Sequence, residues 1–66
     1  MKTEDFAAIV ARRIIDARPA NGKEARCVAK ANAHLLFALQ TDRKVGRQGA
    51  HAYLQRAEKW LDKVQN

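Results

Sequence analysis

The stretch from Gly46 to Val64, GRQGAHAYLQRAEKWLDKV, decides the fold. Ala50, Tyr53, Ala57, Trp60 and Val64 recur every three or four residues, and Leu54 and Leu61 widen the same stripe. His51, Gln55, Glu58, Lys59, Asp62 and Lys63 fall elsewhere on the turn. That spacing is the signature of an amphipathic helix with one face against a core. It carries the only Trp and the only Tyr of the chain, so its neighbours are expected to pack around Tyr53 and Trp60.

Upstream, the residues from Phe6 to Ala17 repeat the helical pattern more broadly. Phe6, Val10, Ile14 and Ala17 form one row, and Ala7, Ala8, Ala11 and Ile15 continue it around the turn. An arc of this width suits contact with two surfaces. Thr3 is the expected N-cap, with Glu4 and Asp5 in the first turn where the helix dipole favours acids. Pro19 disfavours helix at Arg18, and Asn21-Gly22 is turn chemistry. Asn21 with Glu24 resembles a capping box that starts a second helix.

The second helix buries Cys27, Val28, Ala31, Leu35, Ala38 and Leu39 on its main stripe. Arg26, Lys30, His34 and Thr41 line another side, with Phe37 among them. Asn32 interrupts the apolar arc, where a buried amide would fix register or pairing. Asp42 to Gly46 reads as a short basic connection, with Gly46 as N-cap of the third helix.

These segments predict an all-α fold in one domain, residues 1–66. It is a three-helix bundle or an open three-helix arrangement, with helices near 3–18, 22–42 and 47–65. The expected seam holds Phe6, Val10, Ile14, Leu35, Leu39, Leu54, Ala57, Trp60, Leu61 and Val64. Alanine supplies 13 of the 66 residues, so the core is thin for its apolar count. A chain this small commonly gains stability from disulfides, a metal or a partner chain. A single cysteine excludes an internal disulfide, which leaves a homodimer as the expected supplement.

Several function classes fall away on composition. No long apolar run predicts a membrane span, and the charged start Met1-Lys2-Thr3-Glu4-Asp5 is unlike an export signal. One lone cysteine then places the chain in the cytoplasm. There is no serine, and Cys27 lies two turns from His34, beyond hydrogen-bonding reach. Two histidines and one cysteine form no metal-ligand spacing, and no glycine-rich phosphate loop occurs. The reading is therefore not an enzyme, with no catalytic, metal or cofactor-binding residues and no cofactor. His34 and His51 are expected at the surface.

Charge points to a binding partner. The net charge is +6, of which +5 lies within residues 18–47. The expected partner-binding residues are Arg26, Lys30, Phe37, Arg43, Lys44 and Arg47. An acidic protein surface suits them, which makes the chain a small regulator or inhibitor of a larger protein. Catalytically empty helical proteins of this size are often accessory products of phages or plasmids. The alternative is nucleic-acid binding through the basic middle helix and the turn after it. Against that alternative, Glu58 and Asp62 along the third helix would repel phosphate, and no helix-turn-helix pattern joins helices two and three.

Overall fold

The computed structural model describes residues 1–64, apart from the side chains of residues 42–45 and 47. Two helical elements cover most of it: α1, Thr3–Asp16, and α2, Gly22–Leu61. Within α2, Gly46 alone leaves helical geometry, at φ 72° and ψ −178°. The chain reverses there, so α2 is a hairpin of two arms and the fold is an all-helical, three-helix arrangement. Its Cα atoms fill about 35 × 17 × 14 Å.

The helix ends follow local chemistry, with some departures from expectation. Lys2 is the N-cap of α1 and makes no side-chain cap bond, so Thr3 lies inside the helix rather than capping it. The helix stops at Asp16, short of the expected residue 18, because Ala17 is already extended. Arg18 covers the exposed carbonyl end: its Nη1 donates to the carbonyl oxygens of Ala17 at 3.1 Å and Asp16 at 3.3 Å. At the start of α2, the backbone N–H of Glu24 donates to Asn21 Oδ1 at 2.9 Å. The Glu24 carboxylate accepts from the backbone N–H of Ala20, also at 2.9 Å, one residue earlier than in the usual reciprocal box.

The expected connection of residues 42–46 shrinks to one residue. Helical backbone runs to the edge of Gly46 and resumes at once beyond it. A positive φ with ψ near 180° is a region that side chains with a Cβ avoid, and only glycine enters it at low cost. The glycine expected as an N-cap is thus the joint of the hairpin.

The core runs where the three helical segments meet. Ala7 and Val10 of α1 pack with Ala31, Leu35 and Ala38 of the first arm and Ala50, Leu54, Ala57 and Leu61 of the second. Cys27 and Val64 are buried at its end. Of the expected seam, Val10, Leu35, Leu54, Ala57, Leu61 and Val64 are buried, while Phe6, Ile14 and Trp60 pack against the core from its margin. Leu39 is the exception, at 52% exposed. The buried row of the first arm is Cys27, Ala31, Leu35 and Ala38, and one residue further turns about 100° away from it. Asn32 is exposed too, so it sets no register inside this core.

His51 also departs from its expected surface position. Its ring meets the edge of Phe6 at 5.1 Å with an interplanar angle of 81°, and its Nε2 is buried with no hydrogen-bond partner. An unsatisfied buried nitrogen costs about 1–3 kcal/mol. His51→Phe should therefore raise stability by about 1 kcal/mol in urea unfolding; a loss of stability would show that Nε2 is solvated after all.

Gly46 offers a sharper test. Nothing described lies within 4 Å of the place where a Cβ would stand, so the objection to a side chain is conformational rather than steric crowding. Gly46→Ala is expected to cost about 1–3 kcal/mol in the same assay. D-Alanine, for which this backbone is the mirror image of an ordinary extended conformation, should leave stability close to wild type. Equal losses for both would refute the assignment of the joint to backbone geometry.

Candidate functional site

Two antiparallel rows face each other across the hairpin. Arg26, Lys30, His34 and Phe37 rise along the first arm at spacings of three or four. Tyr53, Arg56 and Trp60 descend along the second in the same rhythm, and Lys63 follows in the turn just past its end. This periodicity puts each row on one helix face. The alanine-rich core draws the arms together from beneath, and the long side chains of both rows stand at the rim.

Ring and cation contacts bind the rows together. At the end far from the joint, two ammonium groups approach Trp60, Lys63 Nζ at 4.3 Å and Lys30 Nζ at 5.8 Å from the ring centroid. Both distances fall in the range of cation–π attraction. Nearer the joint, Phe37 packs on Tyr53 with centroids 4.7 Å apart, and His34 lies 6.4 Å from the same ring. The Arg56 guanidinium carbon is 5.4 Å from the Tyr53 centroid. His34 Nδ1 is 2.7 Å from the Lys30 carbonyl oxygen, to which it donates in the matching tautomer. The Thr41 hydroxyl donates to the Phe37 carbonyl at 2.8 Å.

Three shallow depressions follow from this relief. One of about 160 Å³ is lined by Ala33, His34, Phe37 and Tyr53. Trp60 is a wall common to the other two. One, about 250 Å³, is rimmed by Arg56, Lys59 and Lys63. The other, about 200 Å³, is rimmed by Lys23, Arg26, Lys30 and Lys63, with Cys27 at its floor. Among the described residues, Lys23, Arg26, Lys30, Arg56, Lys59 and Lys63 thus share one side of the hairpin with Phe37, Tyr53 and Trp60.

The acids of the second arm do not share it equally. Arg13 of α1 takes both: its Nη2 meets Asp62 Oδ1 at 2.8 Å and its Nη1 meets Glu58 Oε2 at 3.8 Å. These bonds are exposed and contribute little stability. They nonetheless give both carboxylates a cationic partner on α1, although Asp62 still borders Lys63 at the far end of the face. Among the described residues, acidic groups approach the face at its far end, where Glu24 and Asp62 join Asn21, Lys23, Cys27 and Lys63 around a wider hollow of about 600 Å³. Both of those carboxylates already accept hydrogen bonds, Glu24 from Ala20 and Asp62 from Arg13.

Arg26, Lys30 and Phe37 of the expected partner surface are all on this face. The side chains of Arg43, Lys44 and Arg47 lie outside the described residues. Lys23, Tyr53, Arg56, Lys59, Trp60 and Lys63 were not expected here. Their signal was the alternation of aromatic and basic residues at 53, 56, 60 and 63, hidden because Tyr53 and Trp60 also continue the apolar stripe. Cys27 is buried, and His34 is engaged with the Lys30 carbonyl rather than with the thiol.

Among the described residues, no group of three His, Cys, Asp or Glu is placed to hold a metal ion. No helix among them is long and apolar enough to cross a membrane. What the face offers chemically is positive charge beside flat, half-exposed rings. In comparisons with protein-family models, with curated proteins and with solved structures, nothing matches this chain.

Proposed function

We propose that this chain is a non-enzymatic binding module whose basic hairpin face takes the backbone of a nucleic acid. The observation that carries the reading is the segregation of charge: Arg13 engages Glu58 and Asp62 on the α1 side, while Arg56, Lys59 and Lys63 stand with Lys23, Arg26 and Lys30. Pairing with Arg13 weakens the repulsion that Glu58 and Asp62 exert on phosphate, with Asp62 at the far edge of the face. Rows of like charge along two helices suit a polymer of regularly spaced phosphates.

A second reading uses the same face on an acidic protein, as a cytoplasmic regulator or inhibitor. Exposed Phe37, Arg26 and Arg56 and half-buried Trp60 and Tyr53 are of the residue types enriched at protein interfaces. Self-association remains part of either reading, favoured by the outward Ile15, 70% exposed, and Leu36 and Leu39. Sedimentation showing only monomer at micromolar concentration would remove it.

Salt dependence separates the two partner classes. If about four of the six cations meet phosphates, affinity for a fluorescent oligonucleotide should fall on the order of 100-fold between 50 and 200 mM salt. Lys30→Glu with Lys63→Glu should weaken binding at least about tenfold. By contrast, Glu58→Gln with Asp62→Asn should change it by less than about threefold at physiological salt, where charges already paired with Arg13 are screened. No retention of nucleic acid at low salt would sink this reading in favour of an acidic protein partner.

A further inference from the structure

We propose that the nucleic acid taken by this face is single-stranded, with unpaired bases stacking at two aromatic stations. This rests on the nucleic-acid reading above and adds the class of ligand. The first station is Phe37 with Tyr53, and the second is Trp60.

The argument begins with the exposure of Phe37. Its side chain is 47% exposed although a neighbouring ring lies 4.7 Å away, so one aromatic surface is already packed and another faces outward. An open depression walled by Ala33, His34, Phe37 and Tyr53 adjoins it. Charge alone would not need this: phosphates bind to lysine and arginine, and an apolar ring in their midst costs hydration. A base has the complementary chemistry, since every base presents a flat π-face. At the other station, Trp60 divides two depressions that are rimmed by cations on both sides.

Spacing connects the stations. Tyr53 and Trp60 are seven residues apart on one helix, about 10 Å along its axis. This is about three times the 3.4 Å rise per nucleotide of a stacked strand. A strand that reaches both stations therefore passes its intervening nucleotides over Arg56, which lies between them and 5.4 Å from the Tyr53 ring. Lys30 and Lys63 approach Trp60 and meet the phosphates beside the second base. Alternating rings and cations along a groove is how sequence-tolerant single-strand binders are built. In a duplex the bases are stacked on each other and paired, so neither station has a partner.

The experiment uses the whole chain and three polyanions at one low salt concentration: a 12-nucleotide oligothymidylate, a duplex of equal length, and inorganic polyphosphate, which has no bases. Trp60 is the only tryptophan, so its fluorescence reports contact at the second station directly. Oligothymidylate should quench Trp60 and bind at least about tenfold more tightly than the other two. Phe37→Ala should weaken oligothymidylate about 5- to 100-fold and leave duplex and polyphosphate binding unchanged. Phe37→Trp, which keeps an aromatic surface, should retain wild-type affinity and controls for any repacking of Tyr53.

Equal affinity for all three ligands, or a Phe37→Ala variant that binds oligothymidylate normally, overturns the stacking proposal while leaving phosphate binding intact. Preference for the duplex overturns it as well. Failure of every polyanion to bind at low salt overturns both this inference and the reading beneath it.

Discussion

Everything in this structure depends on how closely alanine lets the helices approach. Ala31 and Ala38 of the first arm and Ala50 and Ala57 of the second are fully buried, with Ala7 of α1 beside them. Leu54 and Val10 are the largest side chains wholly enclosed. A methyl group fills little space, so alanine-rich faces let the helices pack closely. Among the described residues, the aromatic side chains are enclosed only in part. Phe6, Tyr53 and Trp60 therefore ride on the margin of the seam, partly covered from below.

That displacement links the fold to the proposed activity. A core built of leucine and phenylalanine would have enclosed its aromatics; this one leaves them at the rim, among the stems of lysine and arginine. Long cationic side chains are well suited to such a position, because their methylene stems cover apolar surface while their charges stay in water. The Trp60–Lys63–Lys30 cluster and the Arg56–Tyr53 contact are both of this kind. α1 contributes differently. It completes the core with Ala7 and Val10, and through Arg13 it gives the carboxylates of the second arm a cationic partner.

Much of this architecture was legible in the residues themselves. Helical periodicity located all three segments, Asn21 and Glu24 marked the start of α2, and Cys27, Leu35 and Leu54 were correctly assigned to the interior. The misplacements share a cause: a helical wheel ranks positions by polarity and knows nothing of the distance between helices. It put Trp60 in the seam, at whose margin the ring packs, and Leu39 beside it, although Ala38 already fills the edge of that stripe. His51 was misjudged in the opposite sense, because Phe6 comes from a different helix to cover it. For the site, Arg26, Lys30 and Phe37 were visible as a basic side with an odd ring. The matching row at 53, 56, 60 and 63 was not, since two of its members were already accounted for as core. The role of Arg13 was invisible, as its partner Asp62 is 49 residues away.

The hairpin joint at Gly46 also sets how much chain each contact between the arms encloses. Loop closure is cheapest for contacts near a turn and grows dearer with the length of chain enclosed. His34 and Phe37 meet Tyr53 close to the joint, Lys30 meets Trp60 further out, and α1 is tied on by contacts between the ends of the chain. The aromatic contacts of the hairpin therefore close shorter stretches of chain than the Arg13–Asp62 tie, and each costs less closure entropy.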